Sequence, residues 1–592
     1  MAMECARATR ATRRTWRVRA SATRPRASPD DLRVKPGALA PLVRGRGLAQ
    51  SDAFRAAQPC EGQVRRNGDE EACERGPPSL EGYLRRVLCA QVYDVARESE
   101  LDLLPRLSES VGNALWLKRE DCQPVFSFKL RGAYNKMVRM DAEARKKGVV
   151  CSSAGNHAQG VAMAAAKLGC SAVICMPVTT PDIKVTNVRR LGAEVVLVGE
   201  TYDECQAYAK ERGREDGRTF VHPFDDPDVI AGQGTVGMEI LRQCGNELPE
   251  AIFVPVGGGG LIAGIAAYVK AVRPEIKVIG VEPVGANAMA LSLSKGERVY
   301  LDKVDGFADG VAVREVGEET FRIASSLLDG VVLVRNDEIC AAIKDVFNDT
   351  RSVLEPAGAL AVAGAKAYIQ HTKCKGCRFV AIGSGANMNF DRLRYVSELA
   401  DIGAHREVVL ATTIPEEPGS FLTFVDTAVG SELPVTEFRY RFAADMKATI
   451  LYGVGIRTEV ELSVLLQKLE GAGMTSVNLT NSEPAMEHLR YLVGGRARTF
   501  TGNVPDERLY VVQFPERAGA LKRFLEAVSP RWNITLFHYR ATGNMKSSVL
   551  LGLQVPDVDL EEFHEVTQRL DALYSFSKIE GSTAEAFHML LG

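Results

Sequence analysis

The sequence predicts a mixed α/β chain, with parallel sheets wrapped by helices over its larger N-terminal part and a duplicated α+β region behind them. Three observations carry this. From Tyr83 to about Leu399, short apolar runs alternate with helical patterns, as strands and their covering helices do in a parallel sheet. Clusters of very small residues stand where those runs give way to helices. Finally, a pattern in the tail repeats itself, Ile414 matching Phe514 and Phe438 matching Phe537.

At 592 residues the chain exceeds what one core supports, so several folded units are expected. Lys plus Arg (73) nearly cancel Asp plus Glu (75), which gives no basic footprint for nucleic acid and none for an anionic membrane. No apolar run approaches the ~18 residues a membrane helix needs. The 13 cysteines follow no regular framework, so structural disulfides are not expected. Cys374 and Cys377 make one CxxC, but with no second pair or His cluster it reads as a loop, not a zinc site.

Taken in order, residues 1–78 read as a leader. Met1 to about Pro29 carries arginines from Arg7 to Arg26 among Ala, Ser and Thr, with Glu4 its only acid, the composition of an organelle transit peptide. A basic arm that stays attached is the other reading. The stretch that follows, to Pro78, is rich in Gly, Arg and Glu and is expected to be coreless. Residues 79–402 form the α/β region. Gly148–Ser152, Ser171–Met176, Glu194–Val198, Ala251–Val256, Lys277–Val281 and Phe379–Ile382 read as strands. His157–Leu168 reads as a helix ended by Gly169, and Pro181 suits the first turn of a helix stopped by Gly192. In the tail, Ile414-Pro-Glu-Glu-Pro-Gly-Ser aligns with Phe514-Pro-Glu-Arg-Ala-Gly-Ala, Phe438-Arg-Tyr-Arg with Phe537-His-Tyr-Arg, and Met446-Lys447 with Met545-Lys546. Residues 405–495 and 505–592 are therefore expected to be two copies of one unit, each running strand, turn, helix, strand, strand.

The chemistry concentrates at strand-to-helix junctions. Cys151-Ser-Ser-Ala-Gly-Asn-His-Ala-Gln-Gly160 leaves backbone N–H groups free to meet an anion such as a carboxylate. A purely structural turn of this kind is as common; Asn156 and His157 at its tip favour a functional one. Val256-Gly257-Gly258-Gly259-Gly260-Leu261 is more specific, because four consecutive glycines forgo side-chain burial and maximise backbone entropy. Something must approach that backbone closely. The strand-like run before it and the helical pattern after it would turn a helix N-terminus toward a phosphate. Neither GK[ST] nor GxGxxG spacing is present, which favours a monophosphate cofactor over a nucleotide; a flexible linker, the other reading, conflicts with the apolar flanks.

Ser127-Phe128-Lys129-Leu130-Arg131-Gly132 opens a helix running toward Met140, with Ser127 as its expected N-cap. Lys129 then stands in a first turn, where the helix dipole disfavours positive charge. A partly buried amine there loses its proton readily, as a Schiff-base lysine must. Gly383-Ser384-Gly385-Ala386-Asn387 follows another strand, and Ser384 offers a neutral hydroxyl, which suits a mostly unprotonated pyridine nitrogen.

The ordered set of lysine, asparagine loop, phosphate loop and serine resembles the fold-type II pyridoxal-phosphate enzymes. SFKLRGA, SSAGNHAQG, GGGGLIAG and GSGAN together are similar to the threonine dehydratase branch, over roughly residues 80 to 592. The resemblance implies a catalytic domain at 79–402 that binds pyridoxal 5'-phosphate and converts L-threonine to 2-oxobutanoate and ammonia. It implies that Lys129 forms the Schiff base, Phe128 packs on the cofactor ring and Asn156 bonds the ring hydroxyl. Gly257, Gly258, Gly259 and Gly260 with Leu261 would cradle the phosphate, and Ser384 would bond the pyridine nitrogen. Ser153, Gly155 and His157 would hold the substrate carboxylate. Two departures matter. Serine racemases carry an acid/base serine where this chain has Ala154, and a metal-binding aspartate where Glu282 and Ala286 are followed by Ala288. Racemisation is thus disfavoured and no tightly held divalent metal is implied.

The duplicated tail resembles the ACT-like regulatory pair of biosynthetic threonine deaminases, which implies inhibition by isoleucine, opposed by valine, with Tyr440 and Tyr539 as effector contacts. A homotetramer and a plastid stroma location, with the mitochondrial matrix as alternative, follow from the same likeness and the leader. Three other functions fit the residues: a broad serine/threonine dehydratase, a threonine synthase, and a non-catalytic cofactor-binding amino-acid sensor.

Overall fold

The computed structural model describes residues 25–32, 39–40, 77–390 and 392–403; it also describes 407–480 and 504–579, except 416, 418, 431–432, 442–446, 457–458, 516–518, 530, 541–545 and 571–573. The chain divides into two compact units, Met1–Ala400 and Asp401–Gly592.

Among the described residues the first unit holds strands β1 (Arg26–Ala27), β2 (Leu101–Leu103), β3 (Ala114–Lys118), β4 (Val149–Ser152), β5 (Ala172–Met176) and β6 (Glu194–Leu197). After them come β7 (Thr219–Phe220), β8 (Ala251–Pro255), β9 (Lys277–Pro283), β10 (Tyr300–Leu301), β11 (Gly330–Val334) and β12 (Arg378–Ile382). Six form a sheet in the order β11-β9-β8-β12-β3-β2, parallel except where β2 meets β3. Four form a smaller all-parallel sheet, β6-β5-β4-β7. Every residue of β4, β5 and β8 is buried, so these strands read as unbroken apolar runs instead of alternating ones. One face of the larger sheet packs Phe253, Ile279 and Leu360 together, the other Ile252, Val254 and Ile262.

Local chemistry sets the helix ends. The helix Asn156–Leu168 stops at Gly169, whose φ of 65° is the left-handed conformation glycine adopts at little cost. Thr201 and Glu204 form a reciprocal capping box for Tyr202–Glu215, and Asp226 caps Pro227–Cys244. Pro181, expected in a first turn, stands just ahead of the helix Asp182–Arg190.

Two expectations are corrected. Ser127 is not an N-cap: it pairs with Gly385 in an isolated antiparallel bridge, so the helix begins only at Lys129, with Phe128 at the cap position. The leader is not coreless throughout. β1 pairs in parallel with β10, Asn287 donates to the Pro29 carbonyl, and Ala27 and Ala40 are buried. Residues 1–24, 33–38 and 41–76, which hold the rest of the expected leader, lie outside the described residues.

In the second unit, β13 (Glu407–Pro415), β14 (Val435–Arg441), β15 (Lys447–Gly455) and β16 (Thr475–Asn478) belong to the first copy. β17 (Glu507–Pro515), β18 (Asn533–Arg540), β19 (Lys546–Gln554) and β20 (Ser575–Lys578) belong to the second. Each copy has one more helix and one more strand than the sequence suggested, Glu459–Gly471 with β16 and Leu560–Leu570 with β20. All eight strands make one antiparallel sheet, β16-β13-β15-β14-β18-β19-β17-β20. The copies meet at β14 and β18, where Phe438 faces Tyr539 and Tyr440 faces Phe537. Matched residues exchange places across that seam, which is the mark of a local two-fold. A polar pair repeats as well, Thr436 donating to Glu407 and Thr535 to Glu507. Met446 and Met545 lie outside the described residues, as do 481–503 and 580–592.

Candidate active site

Four chain segments after β3, β4, β8 and β12 converge in the first unit, as ligand sites in open parallel sheets do. The lysine loop is tied directly to the serine loop. Phe128 N donates to Ser384 O at 3.3 Å and Ala386 N to Phe126 O at 2.9 Å, around the Ser127–Gly385 bridge. Phe126 takes a left-handed φ of 56° there, costly for a residue with a Cβ.

Lys129 heads the helix Lys129–Val138, and its Nζ donates to Pro223 O at 3.0 Å, 5.4 Å from the Phe128 ring centre. Burial lowers its pKa to about 8, with the nearby Glu355 carboxylate opposing part of that shift. Two residues along, Arg131 anchors the same helix in a charge cluster closed to solvent. It bonds both Glu120 and Glu239, and Lys118 shares the Glu239 carboxylate with it at 2.7 Å. Two cations meet two anions, so the cluster is balanced.

After β8, the amides of Gly257 to Leu261 donate no hydrogen bond among the described residues, at the positive end of the helix Gly260–Val272. A Cβ on Gly258 would lie 2.3 Å from the Phe224 ring, and one on Gly257 2.9 Å from Val311 Cα. Glycine is what lets those neighbours close in. After β4, Gly155 N donates to Ser153 Oγ at 3.3 Å, while the amides of Asn156 and His157 are without a partner among the described residues. A Cβ on Gly155 would meet nothing within 4 Å. The His157 ring is buried with Nε2 3.0 Å from Val221 O, and its Nδ1 has no partner among the described residues. Burial, then the Lys129 charge, lowers its pKa to about 3, so the ring is neutral. Ser384 is buried and its hydroxyl donates to Ala357 O at 3.2 Å.

The Asn156 carboxamide is held at both ends. Its Nδ2 donates to Glu355 Oε1 at 2.6 Å, and its Oδ1 accepts from Asn387 Nδ2 at 2.7 Å. Sequence reasoning missed Glu355, and it quoted Asn387 in the GSGAN motif without giving it a role. The one local signal was an acid before Pro356 at a helix start, which reads as ordinary capping. Glu282, by contrast, is engaged as a helix cap, accepting from the amides of Met289 and Ala290 at 2.9 and 2.8 Å.

Of the expected site residues, Phe128, Lys129, Asn156 and Ser384 come together in the first unit with the glycine loop and the Ser153–His157 turn. Tyr539 lines a cavity of about 190 Å³ in the second unit with Val429, Leu433, Phe514 and Leu521. Tyr440, its match, is fully buried under Phe421, ring centres 4.4 Å apart.

A buried amine of lowered pKa, a nest of unpartnered amides and a buried neutral hydroxyl are the set that pyridoxal phosphate requires, and the residues present fit it. The pyridoxal-phosphate dependent enzyme family matches residues 93–385. The C-terminal regulatory domain of threonine dehydratase matches twice, at 398–489 and 501–589. The biosynthetic, chloroplastic threonine dehydratase of Arabidopsis thaliana is 60% identical over 481 residues, covering 81% of this chain and 80% of that protein. The mitochondrial threonine dehydratase of Schizosaccharomyces pombe is 49% identical over 497 residues, 83% of this chain and 82% of its own length. The processed form of threonine deaminase isoform 2 from Solanum lycopersicum superposes with a TM-score of 0.58 at 48% identity, over 64% of this chain and 98% of that one. The chain therefore belongs to the biosynthetic threonine dehydratases, pyridoxal-phosphate enzymes with a duplicated C-terminal regulatory domain.

Proposed function

We propose that this chain is a threonine ammonia-lyase that converts L-threonine to 2-oxobutanoate and ammonia in isoleucine biosynthesis. The observation that carries it is the buried Lys129 amine, lowered to about 8, among the four junction loops. When bound there, pyridoxal phosphate supplies an electron sink that acidifies the substrate Cα proton. Lys129 would hold the cofactor until the substrate amine replaces it, and its freed Nζ would then take that proton; Phe128 would pack beside the ring, Asn156 would meet its hydroxyl and Ser384 its nitrogen. The amides of Gly257, Gly258, Gly259, Gly260 and Leu261 receive the phosphate. Ser153, Gly155 and His157 receive the substrate carboxylate, and because the His157 ring is neutral, backbone amides rather than a cation hold that charge. Ala154 offers no acid/base group, which directs the site to elimination rather than racemisation. We assign the catalytic domain to 79–402, the regulatory copies to 405–495 and 505–592, and a leader to 1–78.

For regulation, the Tyr539 cavity is the entry point for isoleucine, opposed by valine; at Tyr440 the Phe421 ring must swing aside before an effector enters. The working form is a homotetramer, in a plastid as for the Arabidopsis relative or a mitochondrion as for the yeast one. The test is 2-oxobutanoate release from L-threonine with and without isoleucine, with L-serine and O-phosphohomoserine as competing substrates. Lys129→Ala should abolish release; a chain that keeps turning over without that lysine is something else.

A further inference from the structure

Asn156 cannot choose its own orientation. The Val125 carbonyl accepts from Asn387 Nδ2 at 2.8 Å, so Asn387 must turn its amino group that way. The same Nδ2 reaches Asn156 Oδ1, which leaves Asn156 Nδ2 facing Glu355. An ionised carboxylate only accepts, so it demands an N–H in return. A protonated carboxyl can donate, so it no longer forbids Asn156 turned over with its oxygen outward, and Asn387 alone then opposes that turn. Glu355 is itself fixed. Its backbone N–H donates to Gly385 O at 3.1 Å, and a Cβ on Gly385 would come within 2.5 Å of Oε1. It is almost fully buried, and among the described residues its hydrogen-bond partners include no cationic side chain.

Resting on the reading of Asn156 as a ligand to the cofactor, we propose that Glu355 is a positioning residue. Its ionised carboxylate, acting with Asn387, locks Asn156 so that an N–H, never the carbonyl oxygen, is presented to the cofactor's ring oxygen. The groups that face Glu355 are the Asp309 carboxylate, the Asn156 amide, the Lys184 ammonium, the Asn387 backbone N–H and the Lys129 amine. Burial first, then Asp309, raises the Glu355 pKa to about 7, so the lock engages above neutrality and loosens as pH falls through about 7.

The test uses full-length protein and pyridoxal phosphate as the probe, reading the dissociation constant and the visible absorbance of the bound cofactor as pH is lowered through neutrality. The wild-type chain should bind more weakly and change its spectrum as pH drops through about 7. Glu355→Gln keeps an acceptor of the same shape but not the charge. It should bind about tenfold more weakly, the equivalent of ~1.4 kcal/mol, with the pH dependence gone. Wild-type affinity and an unchanged pH profile in Glu355→Gln would overturn the proposal. Should that variant fail to fold, Asn387→Asp puts a carboxylate against the Asn156 oxygen, and should weaken the cofactor more than Asn387→Ala does. Equal effects of those two substitutions would count against the lock. Borohydride labelling of Lys129 reports separately on whether the cofactor site itself is correctly assigned.

Discussion

Each charged residue of the site has a partner or an environment that sets its state. Lys129 has a backbone carbonyl and a buried setting, and its pKa falls from 10.5 to about 8. For a lysine the depressed value means that the folded chain favours the neutral amine. Apoenzyme stability is therefore lost as pH drops from 10.5 toward 8 and levels off below, while amine reactivity rises as pH is raised through about 8. Peptide mapping after brief acylation of apoenzyme at graded pH should place the Lys129 midpoint near 8. Arg131 is the opposite case, fully charged and fully buried between Glu120 and Glu239. Arg131→Met would leave two buried carboxylates with Lys118 as the one cation of the cluster beside the neutral donors Tyr93 and Ser99, and should cost about 3–5 kcal/mol in chemical denaturation. Arg131→Lys should recover only part of this, because one ammonium cannot make the bonds that guanidinium makes to both carboxylates.

Junction loops are the elements where sequence and structure agree best, and the reason is locality. A run of glycines between a strand and a helix declares itself within ten residues, and β4, β5, β8 and β12 fall within a residue or so of the expected strands. What the glycines accommodate was not legible: Phe224 and Val311, far along the chain, press on Gly258 and Gly257. Gly258→Ala should drive its methyl into the Phe224 ring and lower cofactor retention on dialysis by an order of magnitude or more, ~1.4 kcal/mol upward. Adding Phe224→Ala should restore part of it. Glu355, and the contact that Asn387 of the GSGAN motif makes, were illegible for the same reason, since Asn156 lies 199 and 231 positions away from them. The short β1 pairing was hidden too, because a two-residue strand has no period to read.

At the scale of the molecule, the duplication was legible in the sequence but its consequence was not. Periodicity shows two copies; only the strand pairing shows that they share one sheet through β14 and β18. Neither copy is then a separable module. Phe438, Tyr440, Phe537 and Tyr539 lie on the strands of the seam and belong to a single core that spans both copies. A chain ended after residue 403 removes the regulatory sheet as a whole and exposes no cut edge of it, so it should stay soluble and keep threonine turnover while lacking the isoleucine inhibition proposed above. A chain ended after residue 503 keeps the first copy alone. It leaves β14 with unpaired N–H and C=O groups and strips Phe537 from Phe438, now 5.2 Å apart centre to centre. Such an open edge beside an uncovered aromatic core templates pairing with other chains. The chain ended after residue 403 should therefore behave better than the chain ended after residue 503 when both are compared by sedimentation and turnover, and the reverse order would show that the copies fold independently.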